Sequence, residues 1–301
     1  MDSNKHKVVC FGEVLWDILP TGEVPGGAPM NVAYHLHKLK KNPALITRIG
    51  IDKRGQDLMN IFSGRGVCTD FFQVDDKYET GKVFAHLNEY NEVRYDIIRH
   101  VAWDFIVLDD SLRELVSKAE FFVFGSLAAR NKVSRDTLFQ LLEIAKNKVL
   151  DINLRAPHYN REIVERLLQK ADFVKMNLAE LELVTSWFSN HTSFADRIRS
   201  IREKFSITNM VVTMGGDGAM LIMNGNVIKH HGFKVDVVDT VGSGDAFLAG
   251  LLYKLSDNAS SDDALEFASG LGALIATQRG ACPDYDTEEI KELIQHNSIK
   301  V

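Results

Sequence analysis

The stretch "DTVGSGDAF" (239–247) places three small residues between two acidic ones. The five residues before it, "KVDVV" (234–238), alternate like a strand. The ten from 246 to 255, "AFLAGLLYKL", are apolar nearly all round, which is the pattern of a buried helix. Strand, bare turn and buried helix in that order make the unit of an α/β sheet. The turn then falls at a helix amino terminus, where unpaired N–H groups and roughly half a positive charge face outward. With so little side chain at Gly242, Ser243 and Gly244, an anion can approach that backbone. Asp245, in the first helical turn, is placed to take a proton from an attacking hydroxyl while the amides hold a phosphoryl group. The same residues also suit a plain tight turn with an acid that favours the helix dipole.

The rest of the chain repeats the unit. The stretch 7–19 reads as a first strand and then a loop opened by Gly12; further strand-like runs stand at 43–50, 119–126, 148–154 and 172–177, and helical ones at 26–39, 55–67, 134–147, 160–171 and 194–204. Two apolar strands flank "GGDG" within 209–230, "NG" at 224–225 marks a hairpin, and helices at 244–256, 262–278 and 286–295 close the chain. This alternation predicts a mainly parallel sheet covered by helices on both faces, with sites beyond the carboxyl ends of the strands. One excursion departs from it. "GKVFAHL" and "EVRYDII", joined by "NEYN" (88–91), look antiparallel, so the expectation is one α/β domain over 1–301 with a small lid formed by a loop at 12–25 and β structure at 71–100.

The 301 residues are 45% hydrophobic and 25% charged, which is globular composition with material for a large core. A net charge of −6 argues against a nucleic-acid surface. The opening "MDSNKHKVVCFGEVLWDILP" has no apolar run long enough for a signal peptide or a membrane span, so no membrane partner and a cytoplasmic location are expected. Cys10, Cys68 and Cys282 have no metal-type spacing, and the ten histidines form no ligand motif.

Three further stretches suit chemistry. In "GGAPMNVA" (26–33) a bare backbone around Gly27 precedes Asn31, which can donate to and accept from sugar hydroxyls, and Asp17 can accept hydroxyl protons. "NLAE" sets Asn177 and Glu180 three apart at a helix start, where they suit either the waters of Mg2+ on nucleotide phosphates or a capping box. "TMGGDG" (213–218) brings small residues to a strand end, as a nucleotide loop or as a hairpin. The P-loop pattern and the dinucleotide fingerprint are both absent.

Taken together these stretches resemble the ribokinase-like sugar kinases of the PfkB type over residues 7–295, with "GGAPMNVA" and "DTVGSGDAFLAG" as the two signatures. The resemblance implies a three-layer α/β/α fold and transfer of the γ-phosphoryl of ATP to a sugar hydroxyl. It makes Asp245 the base and Gly242, Ser243 and Gly244 the anion hole. Sugar contacts fall on Asp17, Gly27, Asn31 and Arg155. Asn177 and Glu180 handle Mg2+ and phosphates, and Thr213, Gly215 and Gly218 belong to the nucleotide loop. A monovalent cation, K+ in the simplest case, would take Asp239, the carbonyls of Val241, Ile275 and Gly280, and Asp284. Within the family "FGEVLWDILP", "VAWD" and "DINLR" are most similar to fructokinases. An acid such as 2-keto-3-deoxygluconate would need a cation from Arg155, Arg94 or Lys82; ribose, a nucleoside or an inactive sensor are the other readings. A homodimer through the lid is also implied.

Overall fold

The computed structural model describes residues 6–20, 22–87 and 93–298; the side chains of 86, 87, 93, 94 and 298 are outside that description, as are the "NEYN" turn and the side chain of Arg94. The chain starts with β1 (Val8–Phe11), then β2 (Leu15–Leu19), β3 (Gly22–Gly26) and α1 (Ala28–Lys38). Next come β4 (Ala44–Gly50), α2 (Lys53–Gly64), β5 (Phe72–Asp75), β6 (Gly81–Leu87) and β7 (Val93–Ile97). The middle runs α3 (Asp110–Lys118), β8 (Phe121–Gly125), α4 (Lys132–Leu142), β9 (Asn147–Asp151), α5 (Arg161–Lys170), β10 (Phe173–Asn177), α6 (Leu178–Ser186) and α7 (Phe194–Phe205). The last part is β11 (Asn209–Thr213), β12 (Ala219–Met223), β13 (Asn226–His230), α8 (Ser243–Ser256), α9 (Ser261–Ala276) and α10 (Thr287–Ser298).

Nine strands form the main sheet in the order β13-β12-β11-β10-β9-β8-β1-β4-β5. All neighbours from β11 to β5 are parallel, and β12 and β13 return antiparallel. Alternate residues of one strand feed opposite cores. Val9 and Phe11 pack with Phe122, Phe124 and Leu138 on one face, while Val8 and Cys10 pack with Val123, Leu36 and Leu248 on the other. Helices α3 to α7 supply the first layer, and α1, α2, α8 and α9 supply the second. The expected α/β/α architecture is therefore observed. Strand order reverses at β1, whose neighbours are β4 on one side and β8 on the other; the carboxyl end of such a strand is where α/β sheets collect ligands.

Four local expectations change. The 12–25 stretch is not a loop: Leu15–Leu19 and Gly22–Gly26 pair antiparallel, and β2 then takes β6 as a parallel neighbour, giving a second sheet in the order β3-β2-β6-β7. Within 71–100, Phe72–Asp75 joins the main sheet beside β4, because Phe72 is buried under Phe62 and extends that core. The helix expected to reach 147 stops at Leu142, since Asn147 already belongs to β9. "KVDVV" is not a strand. Val237 and Val238 are exposed, and the amides of Val238 and Asp239 donate to the Ala276 carbonyl at the end of α9, so alternation there meets no strand partner.

Candidate active site

α8 begins where the sequence places it. Gly242 caps it with φ 77°, and a Cβ there would come within 2.5 Å of Ala281 Cα, so the turn accepts only glycine. The amides of Gly242, Gly244 and Asp245 have no acceptor among the described residues. The amide of Ser243 instead donates to the Thr240 carbonyl (3.3 Å), as does its hydroxyl (2.9 Å). The amides of the turn left without an acceptor among the described residues are thus those of the two glycines and of Asp245 itself, flanking an inward-tied serine.

Asp245 and Asn31 lie 214 residues apart in sequence and meet in space: Asn31 Nδ2 donates to Asp245 Oδ2 at 2.7 Å. The amide orientation follows from its other end, where the Cys282 thiol donates to Asn31 Oδ1 at 3.3 Å. The segment carrying Cys282 is fixed onto α1. His35 Nε2 donates to the Ala281 carbonyl (2.9 Å), which leaves Nδ1 to accept from the Tyr285 hydroxyl, and Tyr34 donates to the Pro283 carbonyl (2.8 Å). Burial pushes His35 down to about 4, so the clamp is uncharged at neutral pH.

Glycines also open the sugar side. A Cβ on Gly26 would fall 2.2 Å from Asp17 Oδ2, and one on Gly27 would fall 2.4 Å from the Glu13 carbonyl. Asp17 in β2 therefore lies directly against the turn that starts α1. Burial raises Asp17 to about 6, opposed by the Arg155 charge. Asp245 is also raised to about 6, by burial first and by the Asp151 charge second, while Asn31, Lys175 and Arg155 pull it down. The Arg155 side chain is exposed and, among the described residues, has only the Leu154 carbonyl as partner (3.4 Å), so its charge acts on these carboxylates without an ion pair to either.

Beneath the glycine turn sits a group that the sequence patterns do not single out. Lys175 in β10 and Asp151 in β9 are register partners, form a 2.7 Å ion pair, and are each only 8% exposed. A Cβ on Gly244 would lie 3.5 Å from Lys175 Nζ, which brings the ammonium under the first turn of α8. Glu13 is the other unforeseen carboxyl. It is 3% exposed, its Oε2 has no partner among the described residues, and burial pushes it up to about 7. The signals available in sequence were a lysine inside the apolar run "DFVKMN" and an acid directly after Gly12.

Asn177 and Glu180 form a full capping box. Asn177 Oδ1 accepts from the Glu180 amide, Glu180 Oε2 accepts from the Asn177 amide, and Glu180 Oε1 accepts from the Leu154 amide, all at 2.8–2.9 Å. Glu180 is buried, and burial raises its carboxyl; Asn177 is exposed at the strand end. Thr213 ends β11, Gly215 has φ 61°, and a Cβ on Gly218 would meet the His230 carbonyl at 1.9 Å. Asp239 joins two of the expected cation segments: Oδ1 accepts from the Val241 amide and Oδ2 from the Gly280 amide, each at 3.0 Å. The Ile275 carbonyl accepts from the Gln278 amide at the end of α9. Asp284 is not brought to this group. Its side chain is 93% exposed and pairs with Lys38 at 2.5 Å, because Lys38 ends α1 on the far side of the Pro283 turn.

Asp245, the glycine turn and the buried Lys175–Asp151 pair thus come together beside the carboxyl ends of the parallel strands, where α/β sheets collect ligands. The chain matches the pfkB family carbohydrate kinases across residues 5–288, and it belongs to that family. It is 31% identical to the probable fructokinase-6, chloroplastic, of Arabidopsis thaliana over 94% of this chain and 80% of that one, and 29% identical to the fructokinase of Vibrio alginolyticus over 94% and 97%. A double mutant of Vibrio cholerae fructokinase, solved with fructose, ADP and potassium, superposes with a TM-score of 0.82 at 26% identity, covering 96% of this chain and 98% of that one. The fold is also shared with the ATP-bound fructokinase of Xylella fastidiosa (TM-score 0.85, 22% identity, 97% and 99% covered). No helix among the described residues is long and apolar enough to cross a membrane.

Proposed function

We propose that this chain is an ATP-dependent fructokinase that phosphorylates the primary hydroxyl of D-fructose to give fructose 6-phosphate. The observation that carries the reading is the Asn31–Asp245 bond at the mouth of the glycine turn. It fixes one carboxylate oxygen and leaves the other to take the hydroxyl proton. As the C–O–H proton passes to Asp245, the hydroxyl oxygen forms its bond to the γ-phosphorus. The bond from that phosphorus to the bridging oxygen breaks, and ADP departs. The free amides of Gly242 and Gly244 and the Lys175 ammonium face the charge that moves across the phosphoryl oxygens. A carboxyl held near 6 is about ten times more ionised than protonated at pH 7, yet more basic than an ordinary aspartate.

Asp17, Gly27 and the remaining amide hydrogen of Asn31 supply the sugar contacts. A neutral acceptor suits this lining better than an acid. Glu13, Asp17 and Asp245 all feel the charge of the exposed Arg155, so three carboxyls stand against that cation, and Lys82 is committed to Glu79 at 2.6 Å. The nucleotide lies along Thr213, Gly215 and Gly218. Mg2+ belongs beside Asn177, whose exposed amide can hold its water, with Glu180 bracing that residue through the helix cap. The Asp239 clamp gathers the Val241 and Gly280 backbone as a carbonyl-rich site for K+, completed by Ile275. The second sheet acts as the lid that excludes water. The test is ADP release from MgATP across fructose, 2-keto-3-deoxygluconate, ribose and a nucleoside, with the product's phosphate position read by NMR. Turnover is expected with fructose at C6. A higher kcat/KM with the acid, or no turnover with any acceptor, contradicts the reading.

A further inference from the structure

A second cavity of about 270 Å3 opens beyond the 153–158 segment, lined by Arg99, Arg130, Arg135, Asn131, His158 and Asn160 among others. None of Asp17, Gly27, Asn31, Arg155 or Asp245 lines it. It is built from donors. Asn131 and Asn160 cap α4 and α5, so two helix amino termini, each heading a helix of ten or more residues, point to one space. Three guanidiniums surround it in a chain whose net charge is −6.

Of the carboxylates nearby, Asp96 is exposed and acts on His158 through its charge, while Asp104 is already used. Both oxygens of Asp104 are held by Arg130 (2.7 and 2.9 Å), and that guanidinium also donates to the Ile98 carbonyl and stacks on Trp103 at 3.9 Å. Arg130 is therefore a fixed wall. Arg99 and Arg135 are not: among the described residues each keeps nitrogens without an acceptor after single bonds to the Pro157 and Ala129 carbonyls and, for Arg99, to His158. His158 is 8% exposed, and its Nδ1 lies 3.4 Å from both Arg99 Nε and Arg130 Nη1. Two cations that can only donate make Nδ1 the acceptor, so the ring proton is on Nε2, which has no protein partner among the described residues. Burial and the two arginines hold the imidazole below its ordinary range, in agreement with a neutral ring. A largely buried histidine whose Nε2–H has no protein acceptor among the described residues, two guanidiniums with donors beyond their carbonyl and imidazole bonds, and two helix amino termini have one common complement, an anion of high charge and several oxygens.

We propose that this cavity is a binding site, separate from the kinase site, for a phosphate dianion, either the free ion or the ester of a small metabolite, held by Arg99, Arg135 and His158 Nε2. The volume exceeds what one phosphate fills, which leaves room for the carbon skeleton of an ester. The site does not depend on the kinase reading, and its test uses neither sugar nor nucleotide. Titration calorimetry with inorganic phosphate, and separately with glycerol 3-phosphate, is expected to show one site per chain in the wild-type protein. Arg99→Ala and Arg135→Ala should each weaken it about tenfold, and Arg155→Ala should leave it unchanged. The two titrants distinguish the free ion from an ester. Circular dichroism on the two cavity variants, whose side chains reach solvent, checks that the fold is kept. Absence of binding by either titrant up to about 10 mM overturns the proposal. So does an affinity that survives both Arg99→Ala and Arg135→Ala, which would put the anion elsewhere, the amide turn of the kinase site included.

Discussion

Asp245 carries opposite consequences for activity and for stability. Its carboxyl is raised to about 6 by burial and by Asp151, against an ordinary value near 4 in the unfolded chain. The folded protein thus binds the extra proton between those values, and stability falls as pH rises through that window, leaving the charged form a cost at neutral pH. Asp245→Asn removes that charge and can keep the bond to Asn31. It should lower kcat by about two to four orders of magnitude while raising Tm by roughly 2 °C. In the wild type, kcat/KM should climb between pH 5 and 7 with a midpoint near 6. Because Glu13 and Asp17 titrate in the same cluster, that midpoint is a property of the group. A flat profile over this range, or a less stable Asn variant, would remove the assigned role. Motifs made Asp245 and Asn31 legible in the sequence, but not their bond, which spans 214 residues.

Lys175 and Asp151 show what motif reading misses. Each looks ordinary in its own strand, and only the β9/β10 register makes them opposite and buried. Lys175→Met leaves the Asp151 charge without its partner and should cost about 3–5 kcal/mol in urea unfolding, whereas Lys175→Met combined with Asp151→Leu should recover most of it. Equal loss in the single and double variants would show that the pair does not share its stability contribution.

At the scale of elements, what was legible is what is local. The amino terminus of α8, the hairpin at 224–225 and the start of α6 rest on short-range chemistry that the residues themselves specify. Elements that depend on neighbours were not legible. "KVDVV" has strand alternation but no strand to pair with, and β2 and β3 become strands only because they pair with each other and with β6. The capping box at Asn177 and Glu180 shows one motif satisfying two demands. Its structural part is built, and the exposed Asn177 amide sits at the strand end where phosphates would pass. Asn177→Ala should cost about 1 kcal/mol as a lost cap. It should also raise the KM for MgATP severalfold at unchanged KM for sugar. A stability loss with the nucleotide KM unmoved would assign the pair to capping alone.

For the whole molecule, the second sheet ends in two open strands, β3 and β7, which present unpaired backbone. Val24 on β3 is 40% exposed and Tyr95 on β7 is 50% exposed, apolar surface on the two elements with pairing capacity to spare. A sheet with bare edges invites another sheet. The same sheet of a second copy would cover both strands by symmetry without disturbing the nine-stranded core. The expected outcome is a dimer in sedimentation velocity at micromolar concentration, and dissociation to monomer in the double variant Val24→Lys, Tyr95→Lys, because a lysine at a strand edge opposes pairing. Should that variant sediment like a wild-type dimer, the contact lies elsewhere on the surface; a wild type that is monomeric throughout means that the second sheet keeps its two edges open to solvent.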